Sequence, residues 1–209
     1  PVVKTATVEM GAYFRDIETA AQAHGLMFAP YPSSHLLCGI GGMIGNNASG
    51  EKSLRHGATS DNVLELEIIL ADGSVRRIVP KQLKDATLPD EKVLIDLYRQ
   101  FGTALKKATG SVKKAASGYR LEKTVQKNTL NAVPLFVGAQ GTLGIVTKAV
   151  LKLVPIPEHT DLLLVSATKL ADLSHIVKTV FEHNPEALET FDINTYKKAQ
   201  EHLSEEYLI

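Results

Sequence analysis

The sequence predicts an α+β protein on three observations: one β-hairpin signature, helical stripes of apolar residues on either side of it, and two glycine clusters that interrupt both patterns. The hairpin is "VLELEIILADGSVRRIV", in which residues 63–70 and 74–79 read as strands around Asp72-Gly73. That dipeptide supplies the positive φ a two-residue turn requires. Upstream, "GAYFRDIETAAQAHG" sets Phe14, Ile17, Ala20 and Ala21 at helical spacing, and Gly25 suits a left-handed helix end. Downstream, "DEKVLIDLYRQFGTALKKA" predicts a helix with Val93, Leu94, Leu97, Phe101 and Leu105 on one stripe.

The remaining stretches follow from these. Residues 26–60 are rich in Gly, Pro, Ser and Asn and lack a regular period, which marks a functional loop held down by the apolar Leu36, Leu37, Ile40, Met43 and Ile44. "LFVGAQGTLGIVTKAVLKLVPIP" predicts a short strand, a turn through Gly138, Gly141 and Gly144, and a long strand ended by Pro155 and Pro157. Those prolines read as a boundary between one domain over 1–157 and a second over 158–209. In the second, "DLLLVSA", "ADLSHIVKTVFEH", "ALETFDI" and "NTYKKAQEHL" predict strand, helix, strand, helix, the opening of another α+β unit. Both ends read as cut. "PVVKTATVEM" lacks an initiator methionine and predicts a strand needing an earlier partner, while "EHLSEEYLI" has helical spacing without a stop signal.

Composition removes several functional classes. Among 209 residues, 23 basic and 23 acidic side chains cancel, leaving no general attraction to nucleic acid or to a membrane surface. No run of about 18 apolar residues is present, and the first residues lack a charged-then-apolar signal pattern. The single Cys38 rules out an internal disulfide framework, and the seven histidines include no ligand pair spaced for one helical face, so no metal site is predicted. The basic run holding Lys106, Lys107, Lys113, Lys114, Arg120, Lys123 and Lys127 offers only Tyr119 for base stacking. It reads as a solvated face, or as a field drawing in small anions, rather than a nucleic-acid patch.

The glycine clusters "CGIGGMIGNNASG" and "GAQGTLG" are the dominant candidates for a ligand site, a pair of tight turns being the other reading. Glycine lets a ligand approach the main chain and lets successive N–H groups face one anion, although it serves tight turns as readily. "GNNASGEKS" narrowly misses the phosphate loop of nucleotide hydrolases: Glu51 intervenes after Gly50, so Lys52 arrives one residue late. The dinucleotide fingerprint fails too, because Ile44 stands where the third glycine belongs and the second cluster opens into a strand instead of a helix. Asn46, Asn47, Ser49 and Ser53 suit a neutral heterocycle or sugar chain, and Glu51, Lys52, Arg55 and His56 are expected to close on one another as a charged knot.

At "PYPSS" (30–34), "GIGGMIGNNASGEKSLRHGATSDNVLELEIILADG" (39–73), "ASGYRL" (116–121) and "VGAQGTLGIVTKAVLKLVP" (137–155), the sequence resembles the PCMH-type FAD-binding domain of the vanillyl-alcohol oxidase superfamily. Within that superfamily it is most similar to the D-lactate dehydrogenase and glycolate oxidase flavoprotein group. The resemblance implies a partial FAD-binding domain over 1–157 and the beginning of a substrate-covering α+β cap over 158–209. It implies that Pro32, Ser33, Gly41, Gly42, Asn46, Ala48, Ser49 and Gly50 lie along the isoalloxazine, ribityl and pyrophosphate parts of FAD. Gly57, Thr59 and Asp61 would continue that wall, and Gly141, Gly144, Ile145 and Val146 would meet the adenosine end. Gln140 replaces a glutamate common in the family and removes a negative charge there.

The activity so implied is oxidation of a 2-hydroxy acid, of D-lactate or glycolate type, by hydride transfer to flavin N5, with an electron acceptor that stays open. Arg120 is the candidate near the substrate, with Lys52 and Arg55 as further cations and His56 as candidate base. Cys38 is expected to be inert, covalent attachment to flavin being the other reading. This stretch alone is expected to bind FAD poorly and to turn nothing over. Two alternatives stand beside this reading: a non-catalytic module of the same fold, and a superfamily member acting on another alcohol or an ether-lipid precursor. A cytoplasmic location, peripheral to the inner membrane as the variant of it, and either a homodimer or a peripheral membrane partner are further expectations.

Overall fold

The computed structural model describes residues 4–109 and 117–202. Lys113 and Lys114 of the basic run, Ala116 of "ASGYRL", and the ends of the chain named above, 1–3 and 203–209, lie outside those residues.

The chain opens with strand β1 (Thr5–Glu9), helix α1 (Phe14–Gln22) and the short strand β2 (Leu26–Met27). α1 follows its periodicity: Phe14, Ile17 and Ala21 are buried, Ala20 is exposed, and Gly25 takes φ +66°. The long glycine-rich stretch is not a featureless loop. It contains three short helices, α2 (Ile40–Gly45), α3 (Ser53–His56) and α4 (Thr59–Asn62), which supply hydrogen-bonding partners that a buried irregular loop would lack.

Strands β3 (Val63–Ile69) and β4 (Val75–Ile78) form the predicted hairpin with a different turn. Only Gly73 has positive φ, its N–H reaches Leu70 O (2.9 Å), and Leu70 N reaches Ser74 O (3.0 Å). The loop is therefore the three residues Ala71-Asp72-Gly73, a turn closed by a left-handed glycine. Asp72 Oδ1 accepts from Ser74 N (2.9 Å).

Next come β5 (Lys81–Gln82), the long helix α5 (Pro89–Thr109), β6 (Val125–Gln126), β7 (Thr129–Leu130) and helix α6 (Val133–Phe136). α5 starts on recognisable signals: Pro89 leads it, and Glu91 Oε2 accepts from Leu88 N (3.1 Å). Its buried line is not the expected stripe. Ile95 and Gly102 are buried with Tyr98 between them, whereas Val93 and Phe101 are 59% and 45% exposed. The helix packs on a small cluster with Ala86, Val125 and Leu130, and a one-sided cluster of that size covers only a narrow strip. At residues 135–137 the expected strand is instead the end of α6, where Pro134 fits a first helical turn.

Strand β8 (Ile145–Lys152) and the short β9 (Val154–Pro155) complete the sheets. The main sheet has the order β1-β8-β3-β4 and is antiparallel throughout. β1 lies at one edge of this sheet and pairs with the later strand β8. Two bulges set the faces. Leu64 is the extra residue between the Val63 and Glu65 pairings, and Thr147 on β8 is the extra residue opposite Glu67 and Ile68. The first lets Val63, Leu66 and Ile68 all be buried despite the odd spacing of 63 and 66. These three join Val8, Ala149 and Leu151 in one core with α1, α2 and α6, through Phe14, Ile17, Ile40, Met43, Ile44 and Val133. The outer face carries cross-strand charge pairs, Arg77 Nε to Glu65 (3.0 Å) and Lys148 to Glu67 (3.7 Å).

Beyond Pro157 lie helices α7 (Leu170–Glu182) and α8 (Ile193–His202), and neither predicted strand forms. Leu162 and Leu163 are each 78% exposed, and no described residue past Leu153 belongs to the buried core. An isolated apolar run has no neighbour to accept its backbone hydrogen bonds, so propensity alone does not make it a strand. Among the described residues no helix is long and apolar enough to cross a membrane, and no group of three potential metal ligands is assembled.

Candidate functional site

The first glycine cluster is anchored to the end of β1. Ile40 N donates to Ala12 O (2.9 Å) and Gly41 N to Met10 O (3.1 Å). A Cβ on Gly41 would stand 3.1 Å from that same Met10 oxygen, so glycine permits the close approach. Gly42, one residue on, faces open space, and Asn46 at the end of α2 is exposed.

Asn47, rather than Asn46, is the buried asparagine. It takes φ +48° and its Oδ1 accepts from Ser60 N (2.9 Å). Thr59 is fully buried and gives both its Oγ1 (2.7 Å) and its N–H (3.0 Å) to Ala48 O. Asp61 Oδ2 accepts from Ala58 N (3.0 Å) while Oδ1 pairs with Lys123 (2.9 Å). Gly57, at φ +79°, leaves room for that carboxylate, because a Cβ there would meet Asp61 Oδ2 at 2.7 Å. Thr59, Asp61, Gly41 and Gly57 are thus engaged in shaping the loop.

"PYPSS" packs against the far end of the cluster. A Cβ on Gly50 would fall 1.8 Å from Tyr31 O, which no side chain can occupy. Ser53 closes the turn, its Oγ accepting from Gly50 N (2.9 Å). The Tyr31 hydroxyl donates to Glu51 Oε1 (2.8 Å), and its ring lies 5.5 Å from Phe14 and 5.2 Å from His35. Burial, reinforced by the Glu51 carboxylate, pushes the Tyr31 phenol well above its ordinary range, so it remains a donor. Pro32 is half-buried beside Gly50, and Ser33 is exposed. Burial also raises the Cys38 thiol, against a reactive thiolate.

The second cluster docks directly onto the first across about ninety residues of chain. Gly138 N donates to Ile44 O (2.8 Å) and Gln140 N to Gly45 O (3.2 Å). Gly138 has φ +92°, and a Cβ on it would sit 3.2 Å from Asn47 Cβ. Gln140 adopts φ +52° with its side chain exposed, and Gly141 opens on free space. Tyr119 and Thr142 share a hydroxyl hydrogen bond (2.9 Å) over this turn. Gly144 approaches Ile69 O, where a Cβ would lie at 2.8 Å; Ile145 is exposed, and Val146 packs against the core.

The charged candidates are placed differently from the sequence expectation. Lys52, Arg55 and His56 do not close on Glu51, which bonds Tyr31. Lys52 and His56 face Glu186, at 3.8 and 3.4 Å, and Arg55 Nη2 donates to Asn184 O. Arg120, the candidate near the substrate within a basic run read as a solvated face, is buried and paired with the buried Glu122. Tyr31 is a site-building residue that sequence reasoning passed over, and Asn47, Gly138 and Gln140, read there only as polar lining, a turn and a lost charge, are what join the two clusters. Asparagine's tolerance of left-handed backbone was the available signal for Asn47.

Residues 1–78 match the protein-family model described as FAD binding domain. The chain is 35% identical over 160 residues to glycolate oxidase subunit GlcD of Bacillus subtilis, covering 77% of this chain and 25% of that protein. It is 28% identical over 197 residues to D-2-hydroxyglutarate dehydrogenase of Pseudomonas putida, covering 88% and 19%. It is 27% identical over 187 residues to D-lactate dehydrogenase of Archaeoglobus fulgidus, covering 89% and 33%. The chain therefore spans between about a fifth and a third of the length of these relatives. FAD suits what is built here: Gly42 and Gly141 leave open space where a Cβ would stand, on two turns joined by backbone hydrogen bonds.

Proposed function

We propose that this chain, which carries part of a PCMH-type FAD-binding domain, contributes one wall of the cofactor site of an FAD-dependent enzyme that oxidises a 2-hydroxy acid. The observation that carries the reading is the docking of the two glycine clusters, which leaves Gly42, Asn46 and Gly141 facing outward while the residues behind them are locked. In this reading the backbone at Gly42 and Gly141 and the side chains of Ser33, Asn46 and Ser49 hold FAD. Ala48, Gly50, Gly57, Thr59 and Asp61 keep that wall in shape, and Gly144, Ile145 and Val146 extend it along the start of β8. FAD when bound supplies the hydride acceptor. The chain's own residues bind and orient it and exclude water from one side. D-lactate and glycolate are the substrate types that the names of the relatives favour. We place the boundary between this domain and a second one after Pro157, where the shared core ends.

A non-catalytic module of the same fold is the second reading, favoured by one observation: Arg120, the candidate for holding a substrate carboxylate, is committed to Glu122. The visible spectrum of the full-length protein separates the two. A flavin spectrum that bleaches when D-lactate or glycolate is added under anaerobic conditions supports the enzyme, and a colourless protein that takes up no FAD supports the module. Replacing Gly42 or Asn46 with a bulky residue is expected to lower FAD affinity at least tenfold, and unchanged affinity in both variants would refute the site assignment.

A further inference from the structure

Lys52, which precedes helix α3, and Arg55 and His56 within it reach the turn that follows α7. Three contacts converge on that turn. Asn184 ends α7 in a left-handed conformation, φ +50°, and its carbonyl accepts from Arg55. A guanidinium there stands at the negative end of a thirteen-residue helix. Two residues on, the Glu186 carboxylate lies 3.8 Å from Lys52 Nζ and 3.4 Å from His56 Nε2, all three side chains being only 20% exposed. Glu186 Oε1 is buried and makes no hydrogen bond, so among the described contacts its charge is met by the Lys52 ammonium and by the His56 imidazole when that is protonated.

We propose that Lys52, Arg55 and His56 form a clasp that seats the 158–202 segment on the glycine-rich loop. The clasp couples the seating of that segment to the order of the loop, and this second part rests on the reading of the loop as an FAD wall. The segment buries no side chain in the core, so polar contacts of this kind carry much of its attachment. Gly50 and Ser53, which close the loop on Tyr31, lie within a few residues of the clasp. By linkage, FAD that orders the loop also tightens the turn, and by the same factor.

The test is limited chymotrypsin digestion of the full-length protein at the exposed residues 162–164, alongside FAD titration by flavin fluorescence. In Glu186→Lys, cleavage is expected to quicken two- to fivefold and FAD affinity to fall by a similar factor. The charge swap Lys52→Glu with Glu186→Lys is expected to restore both, which a folding defect would not do. Raising salt from 0.05 to 0.5 M is expected to quicken cleavage of the native protein but to change Glu186→Lys little. An unchanged cleavage rate in Glu186→Lys overturns the clasp. Faster cleavage with unaltered FAD affinity overturns the coupling. A native protein that binds no FAD overturns the cofactor reading, while its cleavage pattern still decides the clasp.

Discussion

Leu151 and Leu163 stand twelve residues apart in the chain; one is fully buried and the other 78% exposed. The regions they represent differ in the same way. The described residues up to 157 close a main core between an antiparallel sheet and the helices α1, α2 and α6, with a smaller cluster under α5, whereas 158–202 hold two helices and an unpaired apolar run that meet the rest through polar contacts. The contrast teaches that apolar content does not create a core. Leu162, Leu163 and Leu164 are as apolar as the residues of β8, but only β8 has strands on both sides to satisfy its backbone.

The difference can be broken most severely at Leu66, which is 1% exposed at the centre of the sheet. Leu66→Ala is expected to destabilise the protein by about 2–5 kcal/mol in urea unfolding. Gly50→Ala comes next, at about 2–3 kcal/mol, because Tyr31 O lies where the methyl must go. Its loss of FAD affinity should exceed what its stability predicts. Acid titration sharpens the picture around α5. Burial raises the Glu91 carboxyl, but hydrogen bonds from Lys81 and from the backbone of Leu88 outweigh burial and hold it below the usual range. A depressed carboxylate contributes stability above its unfolded value and loses it as pH falls through the folded one. Glu91→Gln is therefore expected to cost about 1–2 kcal/mol at pH 7. The difference from the native protein should shrink in acid, as unfolding between pH 7 and 3 would report. Leu163→Ala should do least, shifting stability by under about 0.5 kcal/mol. A loss there as large as at Leu66 would show that the second region is packed in solution.

How much of this was legible depended on distance along the chain. The α1 face, the start of α5 and the hairpin were readable, because capping residues, helical periods and turn dipeptides act over a few residues. The turn at Asp72-Gly73 was misread by one residue, since the dipeptide fits either loop length and the strand register decides. The buried line of α5 was missed, because a helix with apolar residues around much of its circumference does not say which strip its neighbours cover. The two glycine clusters were both legible as unusual, but not their mutual docking: nothing local reports that Gly138 N–H reaches Ile44 O. The burial of Arg120 was hidden for the same reason, its partner Glu122 being only two residues away while the walls around both come from elsewhere.

The contact between Asn47 and Gly138 has a consequence for inheritance. Their Cβ positions would lie 3.2 Å apart, and both residues occupy left-handed backbone. Every residue but glycine carries that Cβ at 47, and a side chain at 138 is also strained by its own backbone. Shortening Asn47 therefore does not open position 138 to change. A library randomising both codons together should still return glycine at 138 in its functional members.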